Sequence, residues 1–255
     1  MKNTYVIAKF TFIEVYRSKI MIGLLILAMS LLLVTYIASE FAYGAPAKIA
    51  LDFSVGIMSF SNLMVSIFLG ATLISKEIES KTLYMILSRP LSRNSFLIGK
   101  VLGLSSVLVF NTLFLTLVGF LVFTFLGGST DSLFITTALF SLLEAIIIMC
   151  FGVLFSLITN VVLSVIFTLM VLIAGHSFNE SMSNFFAKTN PFFSSILKFT
   201  SFILPDLERF NLKDFLIYRQ NLDPNFISFN FVYGVVYLLI MLILISFVFK
   251  NKNLD

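Results

Sequence analysis

Lys76-Glu77-Ile78-Glu79-Ser80-Lys81-Thr82-Leu83-Tyr84-Met85-Ile86-Leu87-Ser88-Arg89-Pro90-Leu91-Ser92-Arg93 is the one long charged stretch in an otherwise apolar chain. It lies between the apolar runs 53–75 and 96–126. At about 1.5 Å per helical residue, each run can cross a hydrocarbon core of about 30 Å. The middle of the stretch reads as a short helix. Glu77 stands four residues before Lys81, the favourable order for a helical charge pair, and Leu83, Ile86 and Leu87 share one face. Pro90 disfavours a helical conformation at Arg89 and stops the helix, and Ser92 can cap a new one. Spacing alone fits two readings: a solvated loop whose basic residues set topology, and a helix presented to a soluble partner.

Composition bounds the rest. Of 255 residues, 59% are hydrophobic and 12% charged, and the mean hydropathy is +1.04, which excludes a water-soluble globular chain. The expected fold class is all-α, a polytopic membrane protein in one domain, with room for about six spans and none for an ordinary soluble catalytic domain. The net charge of +4 does not indicate nucleic-acid binding, because the basic residues gather at the ends of apolar runs, where they set topology. Cys150 is the single cysteine, so neither a disulfide framework nor a Cys-rich metal site is expected. The first apolar run begins late and lacks a small-residue cleavage pattern, so it reads as a retained span.

Six spans are predicted: 20–38, 53–75, 96–126, 133–155, 161–175 and 231–249. Residues 1–19 set Tyr5, Phe10 and Phe12 against Lys2, Lys9, Arg17 and Lys19, as an interfacial helix or a plain cytosolic tail would. The third run, with 31 residues, should tilt or begin in the cytosol. The inner segments (1–19, the region 76–95 extended to Lys100, and the C-terminus) hold eleven basic residues and the short outer loops one. This puts both termini inside. Residues 176–229 form a long outer loop in which five basic and five acidic residues balance. Asn190-Pro191 suits a helix start, Leu204-Pro205 an end, and a second short helix is expected near Asn211.

The run from Glu77 to Arg93, followed by Leu97-Ile98-Gly99-Lys100, resembles the signature of ABC-2 type permeases. Lys81 stands where that family commonly has Gly, and Tyr84 where it has Glu. Leu204-Pro205-Asp206-Leu207-Glu208-Arg209-Phe210-Asn211-Leu212 resembles an element of the subgroup that includes the nitrous-oxide reductase maturation permease, with Asp206 in place of the usual Asn. The resemblance implies a permease subunit, in most relatives an exporter of the cell inner membrane. It implies two ATP-binding subunits as partners, holding ATP and Mg, and a second permease copy or paralogue. It further implies a coupling helix in region 76–95 and an elbow helix at 1–19. Docking to the ATP-binding subunit falls by this resemblance to Glu77, Glu79, Lys81, Thr82, Leu83, Ile86, Leu87, Ser88, Arg89, Pro90, Ser92 and Arg93. The alternative is an ATP-driven scaffold or mechanotransmitter that acts on an extracytoplasmic partner without transport. An autonomous channel or ion-coupled carrier fits less well, because membrane charges are scarce.

Within the spans, Glu144 is the salient polar residue. A charge at mid-membrane costs about 2.5–3.5 kcal/mol on insertion scales, so it needs a partner, a water-filled cavity or a proton. Two readings stay open: a cavity-lining group on the substrate pathway with Asn62 and Asn111, or a protonated carboxyl bonded to a neighbouring helix through one of those asparagines. His176, the only histidine, reads as an interface residue because no cluster at metal-ligand spacing accompanies it. The ten Met are scattered and read as packing residues. No Gly-rich phosphate loop occurs, so this chain is not expected to bind or hydrolyse ATP, and no other cofactor is expected on it. No catalytic residue is assigned.

Overall fold

The computed structural model describes residues 2–17, 20–41, 46–79, 92–128, 132–183, 195, 200, 203–218 and 222–251. These residues form α-helices and one 3-10 turn, and no strand occurs among them. The helices are α1 (Lys2–Tyr16), α2 (Ile20–Phe41), α3 (Pro46–Glu79), α4 (Arg93–Phe125), α5 (Ser132–Ile158), α6 (Val161–Ser183), α7 (Lys213–Ile217) and α8 (Pro224–Asn251). The 3-10 turn spans Leu207–Phe210. Four helical segments are long and apolar enough to cross a membrane: Pro46–Thr72, Arg93–Phe125, Ser132–Ile158 and Pro224–Asn251. Shorter apolar stretches occupy Met29–Ala38 and Val161–Ser177. Most of the charged stretch, 80–91, and the expected helix start at Asn190-Pro191 lie outside the described residues.

The helix ends follow local chemistry. Ser92 caps α4, its hydroxyl accepting from the Ser95 N–H at 3.2 Å. At the other end of α4, Gly127 takes φ +81° while the Gly128 and Gly127 N–H groups bond Phe123 O and Thr124 O, a Schellman end. The Asn160 side chain accepts from the Leu163 N–H at 3.0 Å and starts α6 two residues after α5 stops. Asp223 accepts from Asn225 N–H ahead of Pro224, which opens α8.

The core is centred on α5, where Ala145, Ile147, Ile148, Met149 and Cys150 are fully buried. It crosses α3 with the backbones almost in contact, because a Cβ on Gly70 would lie 2.5 Å from the Met149 carbonyl oxygen. Small residues permit such a crossing where apolar solvent supplies no hydrophobic drive between helices. Leu113, Leu117, Ile135, Ile173 and Ile243 point outward and are each more than half exposed. That belt suits lipid and not water. α1 packs along the first turns of α4, over Gly99 and Gly103, where a Cβ would meet Ile7 and Thr11 at under 3 Å.

Candidate functional site

Within the helix bundle, α3, α4 and α5 are joined by amides and hydroxyls. Asn111 Nδ2 donates to Asn62 Oδ1 at 2.8 Å and to Ser61 Oγ at 3.2 Å. Thr112 Oγ1 donates to Asn62 Oδ1 at 3.0 Å, and Asn62 Nδ2 donates to Ser141 Oγ at 3.1 Å. All five residues are buried. Both the oxygen and the nitrogen of the Asn62 amide are therefore bonded, which is what an amide needs in an apolar surround.

Ser141 carries this network to the wall of a cavity of about 140 Å³. The cavity lies among α3 (Val55, Gly56, Ser59, Leu63), α5 (Thr137, Ser141, Glu144), His176 of α6 and the segment Phe210–Lys213. It has room for a few waters and is smaller than the ~300–1,000 Å³ typical of drug-sized ligand sites. The segment that lids it is anchored by Leu207, Phe210 and Leu212, all buried, with Phe210 against the rings of Phe140 and Tyr233. The Asp206 N–H donates to the Tyr233 hydroxyl at 3.0 Å, and Arg209, paired with Asp206 at 3.0 Å, covers the Tyr233 ring.

The site's charges form a chain. Glu144 Oε1 lies 2.8 Å from His176 Nε2, and His176 Nδ1 lies 3.2 Å from Glu208 Oε2. The Glu144 side chain is 6% exposed, that of His176 31% and that of Glu208 41%, so the three run from the interior to the surface. Asn211 Nδ2 donates to the other Glu208 oxygen at 3.1 Å. At the rim, Lys213 Nζ pairs with Asp52 Oδ1 at 2.7 Å, tying the lid to α3.

Of the residues singled out in the sequence, Glu144 is on the cavity wall, while Asn62 and Asn111 stand behind it and bond to each other. Glu144 takes His176 as its partner and neither asparagine. His176, read as an interface residue, and Glu208, which had drawn no assignment, complete the site. The signal for them was present: a lone histidine and an isolated mid-span carboxylate are each costly alone and relieved together.

At the opposite end of the bundle, Lys100 is buried and contacts two carboxylates, Glu77 Oε1 at 2.5 Å and Glu14 Oε2 at 3.4 Å. Glu77 lies beyond the apolar part of α3, which ends at Thr72. Burial pushes its carboxyl above the ordinary carboxylate range, and the neighbouring Lys100 ammonium pulls it partly back. Arg93 donates to the Lys250 carbonyl at 3.2 Å, and Ser246 to Asn94 at 3.1 Å, which fixes the start of α4 to the end of α8. Lys81, Thr82, Leu83, Ile86, Leu87, Ser88, Arg89 and Pro90 lie outside the described residues, as does the side chain of Glu79. Among the described residues, no group of three His, Cys, Asp or Glu is arranged to hold a metal ion.

Apolar helices of membrane-crossing length around a small polar cavity define a multi-pass membrane protein. A family model described as "ABC-2 family transporter protein" matches residues 5–254. The chain belongs to that family, whose members are the membrane components of transporters, typically act with an ATP-binding subunit and are not themselves enzymes. The comparison with curated proteins gives no match.

Proposed function

We propose that this chain is the permease subunit of an ATP-binding cassette exporter, with six spans and both termini on the cytosolic side of the cell inner membrane. In this reading a second permease copy or paralogue completes the pore, and two ATP-binding subunits, holding ATP and Mg, dock on region 76–95. The reading is carried by one observation above the others: the transporter family model covers residues 5–254, and so takes in the charged stretch and the cavity as one unit. The element Leu204–Leu212 supports a place in the subgroup of the nitrous-oxide reductase maturation permease.

α3 offers a mechanical route between the two ends. Its 34 residues span about 51 Å at the usual helical rise, with Glu77 at one end and the cavity-lining Val55, Gly56 and Ser59 towards the other. In the proposed cycle, closure of the ATP-binding dimer displaces the segment around Thr82–Ser88. Lys100 ties Glu77 of α3 to α4 and to Glu14 of α1, so the displacement is passed to three helices together. α3 then re-packs on α5 and α6 and changes the cavity, where Glu144, with Asn62 and Asn111 behind it, lines the substrate path.

Leu83 and Leu87 supply the apolar anchors expected of helix-in-groove docking, which depends on a few buried residues. Leu83→Asp/Leu87→Asp should abolish co-purification with the ATP-binding subunit and solute movement while membrane insertion stays normal. Persistent transport in the double variant would sink the docking assignment. ATP hydrolysis that depends on these residues yet moves no solute would support an ATP-driven scaffold acting on an extracytoplasmic partner.

A further inference from the structure

The cavity's chemistry is set by counting protons. A nitrogen and a carboxylate oxygen 2.8 Å or 3.2 Å apart need a proton between them, because two lone pairs repel. The two contacts of His176 therefore hold two protons among Glu144, His176 and Glu208. Whether these sit as an imidazolium between two carboxylates, or as a Glu144 carboxyl beside a neutral imidazole, the triad carries a net charge of −1.

The neighbouring charges do not cancel it. On α3, Asp52 matches Lys213 of the lid at 2.7 Å, and within the lid Asp206 matches Arg209 at 3.0 Å. α5 contributes Glu144, α6 contributes His176, and α8 presents the neutral Tyr233. Lys213 also lines the cavity, but its charge is matched by Asp52 at the rim, so among the described residues the triad leaves one net negative charge there, beside the hydroxyls of Ser59, Thr137 and Ser141. Val55, Leu63, Phe210 and Leu212 supply the apolar lining, with Val55 and Leu63 on the same face of α3 as Ser59. A carboxylate and hydroxyl oxygens set among a ring and aliphatic groups suit a cation that carries a short hydrocarbon body.

We propose that the cavity is a binding site for a small alkylammonium cation, and that its entry is balanced by release of one proton through His176 and Glu208. The cation fixes Glu144 as the carboxylate, with His176 Nε2–H donating to it. The proton shared by His176 Nδ1 and Glu208 leaves to water from the exposed carboxylate. The triad passes from −1 to −2, and the bound cation restores the total to −1. With its proton gone, the Nδ1–Glu208 contact becomes repulsive, so loading the site also loosens the lid at Leu207–Phe210. The reading names a substrate class for the permease proposed above and rests on it for transport. The binding step itself does not depend on an ATP-binding partner.

The test uses the full chain in lipid nanodiscs with ethylammonium chloride as the probe and sodium chloride as the ionic control. His176 is the only histidine, so 15N-histidine labelling yields a single imidazole spin system. Ethylammonium should move it to the neutral Nε2–H tautomer, release one proton per cation bound, and bind about tenfold more tightly for each pH unit gained while the triad holds its second proton. Glu144→Gln should abolish the response. Glu208→Gln, at the exposed rim, offers Nδ1 an amide N–H in place of the shared proton, so it should bind ethylammonium with no proton release and with the pH dependence of affinity lost. An unchanged imidazole signal at saturating ethylammonium, binding to wild type with no proton release, or Glu208→Gln still releasing one proton per cation would overturn the proposal. Loss of ATP-subunit co-purification would count against the permease reading and leave this titration standing.

Discussion

A buried lysine between two carboxylates makes Lys100 the most exposed point of failure at the residue scale. Breaking a buried ion pair by removing one partner costs about 3 kcal/mol, because the remaining charge is left in a poor solvent. Lys100→Met should therefore lower the unfolding temperature in detergent, and Lys100→Met/Glu77→Gln should recover most of the loss. The sign of the pH dependence follows from Glu77. Its folded pKa is raised, so the folded state holds the proton more tightly than the unfolded one. Its contribution is most favourable at low pH and is lost as pH rises through the ordinary carboxylate range and above. Removing Lys100 takes away the group that pulls this pKa down, so the variant should regain more stability on acidification than wild type does. A melting-temperature profile from pH 4 to pH 8 would check this, and equal slopes for the two proteins would refute it. Glu77 also shows what sequence spacing does not reach. Its four-residue offset from Lys81 suggests a local pair, and Lys81 lies outside the described residues; among the described residues it pairs with Lys100, on another helix.

Among the elements, the α3–α5 crossing bears the closest approach, and it can be tested with a single methyl group. In Gly70→Ala the new Cβ would lie 2.5 Å from the Met149 carbonyl oxygen, a backbone atom that cannot swing aside. The helices must separate, at a cost of about 1–3 kcal/mol, the usual range for overpacking. Gly23→Ala on α2 is the control: its Cβ would have nothing within 4 Å, and alanine favours a helix. Denaturant titration in mixed micelles should show the first variant destabilised and the second neutral or slightly stabilised. Helix ends were the most legible features of the sequence, because capping is local. Ser92 caps α4 as its place after Pro90 suggests, and the glycine pair at 127–128 ends that helix. The short helix expected near Asn211 is α7, Lys213–Ile217. Contacts between elements were not legible. Glu144 and His176 are 32 positions apart, and Asp52 and Lys213 farther still, so only the packing of α3, α5 and α6 under the lid brings them together. Hydropathy identifies which segments are buried in lipid or protein and is silent on which faces meet.

At the scale of the whole molecule, the packing sorts the helix ends into two groups. The start of α4 is bonded to the end of α8 through Arg93–Lys250 and Asn94–Ser246. The start of α3 is tied to the lid through Asp52–Lys213, and the far part of α4 meets α3 where Gly119 faces Ser54. Asn94, Thr159 and Asn251 therefore belong to one end of the bundle, and Gly128, Tyr218 and Asp223 to the other. The orientation proposed above puts the Asn94 end, where Arg93, Lys100 and Lys250 lie, in the cytosol, as the positive-inside rule would have it. Cys150 is fully buried, so an impermeant maleimide should leave the wild-type chain unlabelled. In intact cells Gly128→Cys and Asp223→Cys should then label, while Asn94→Cys and Asn251→Cys should label only after permeabilisation. Labelling of Asn94→Cys and Gly128→Cys from the same side would mean that α4 does not cross the membrane. Labelling of Asn94→Cys and Asn251→Cys alone in intact cells would invert the molecule. The cavity and the Glu208 rim would then face the cytosol, and the cation would load from the side on which the ATP-binding subunits work.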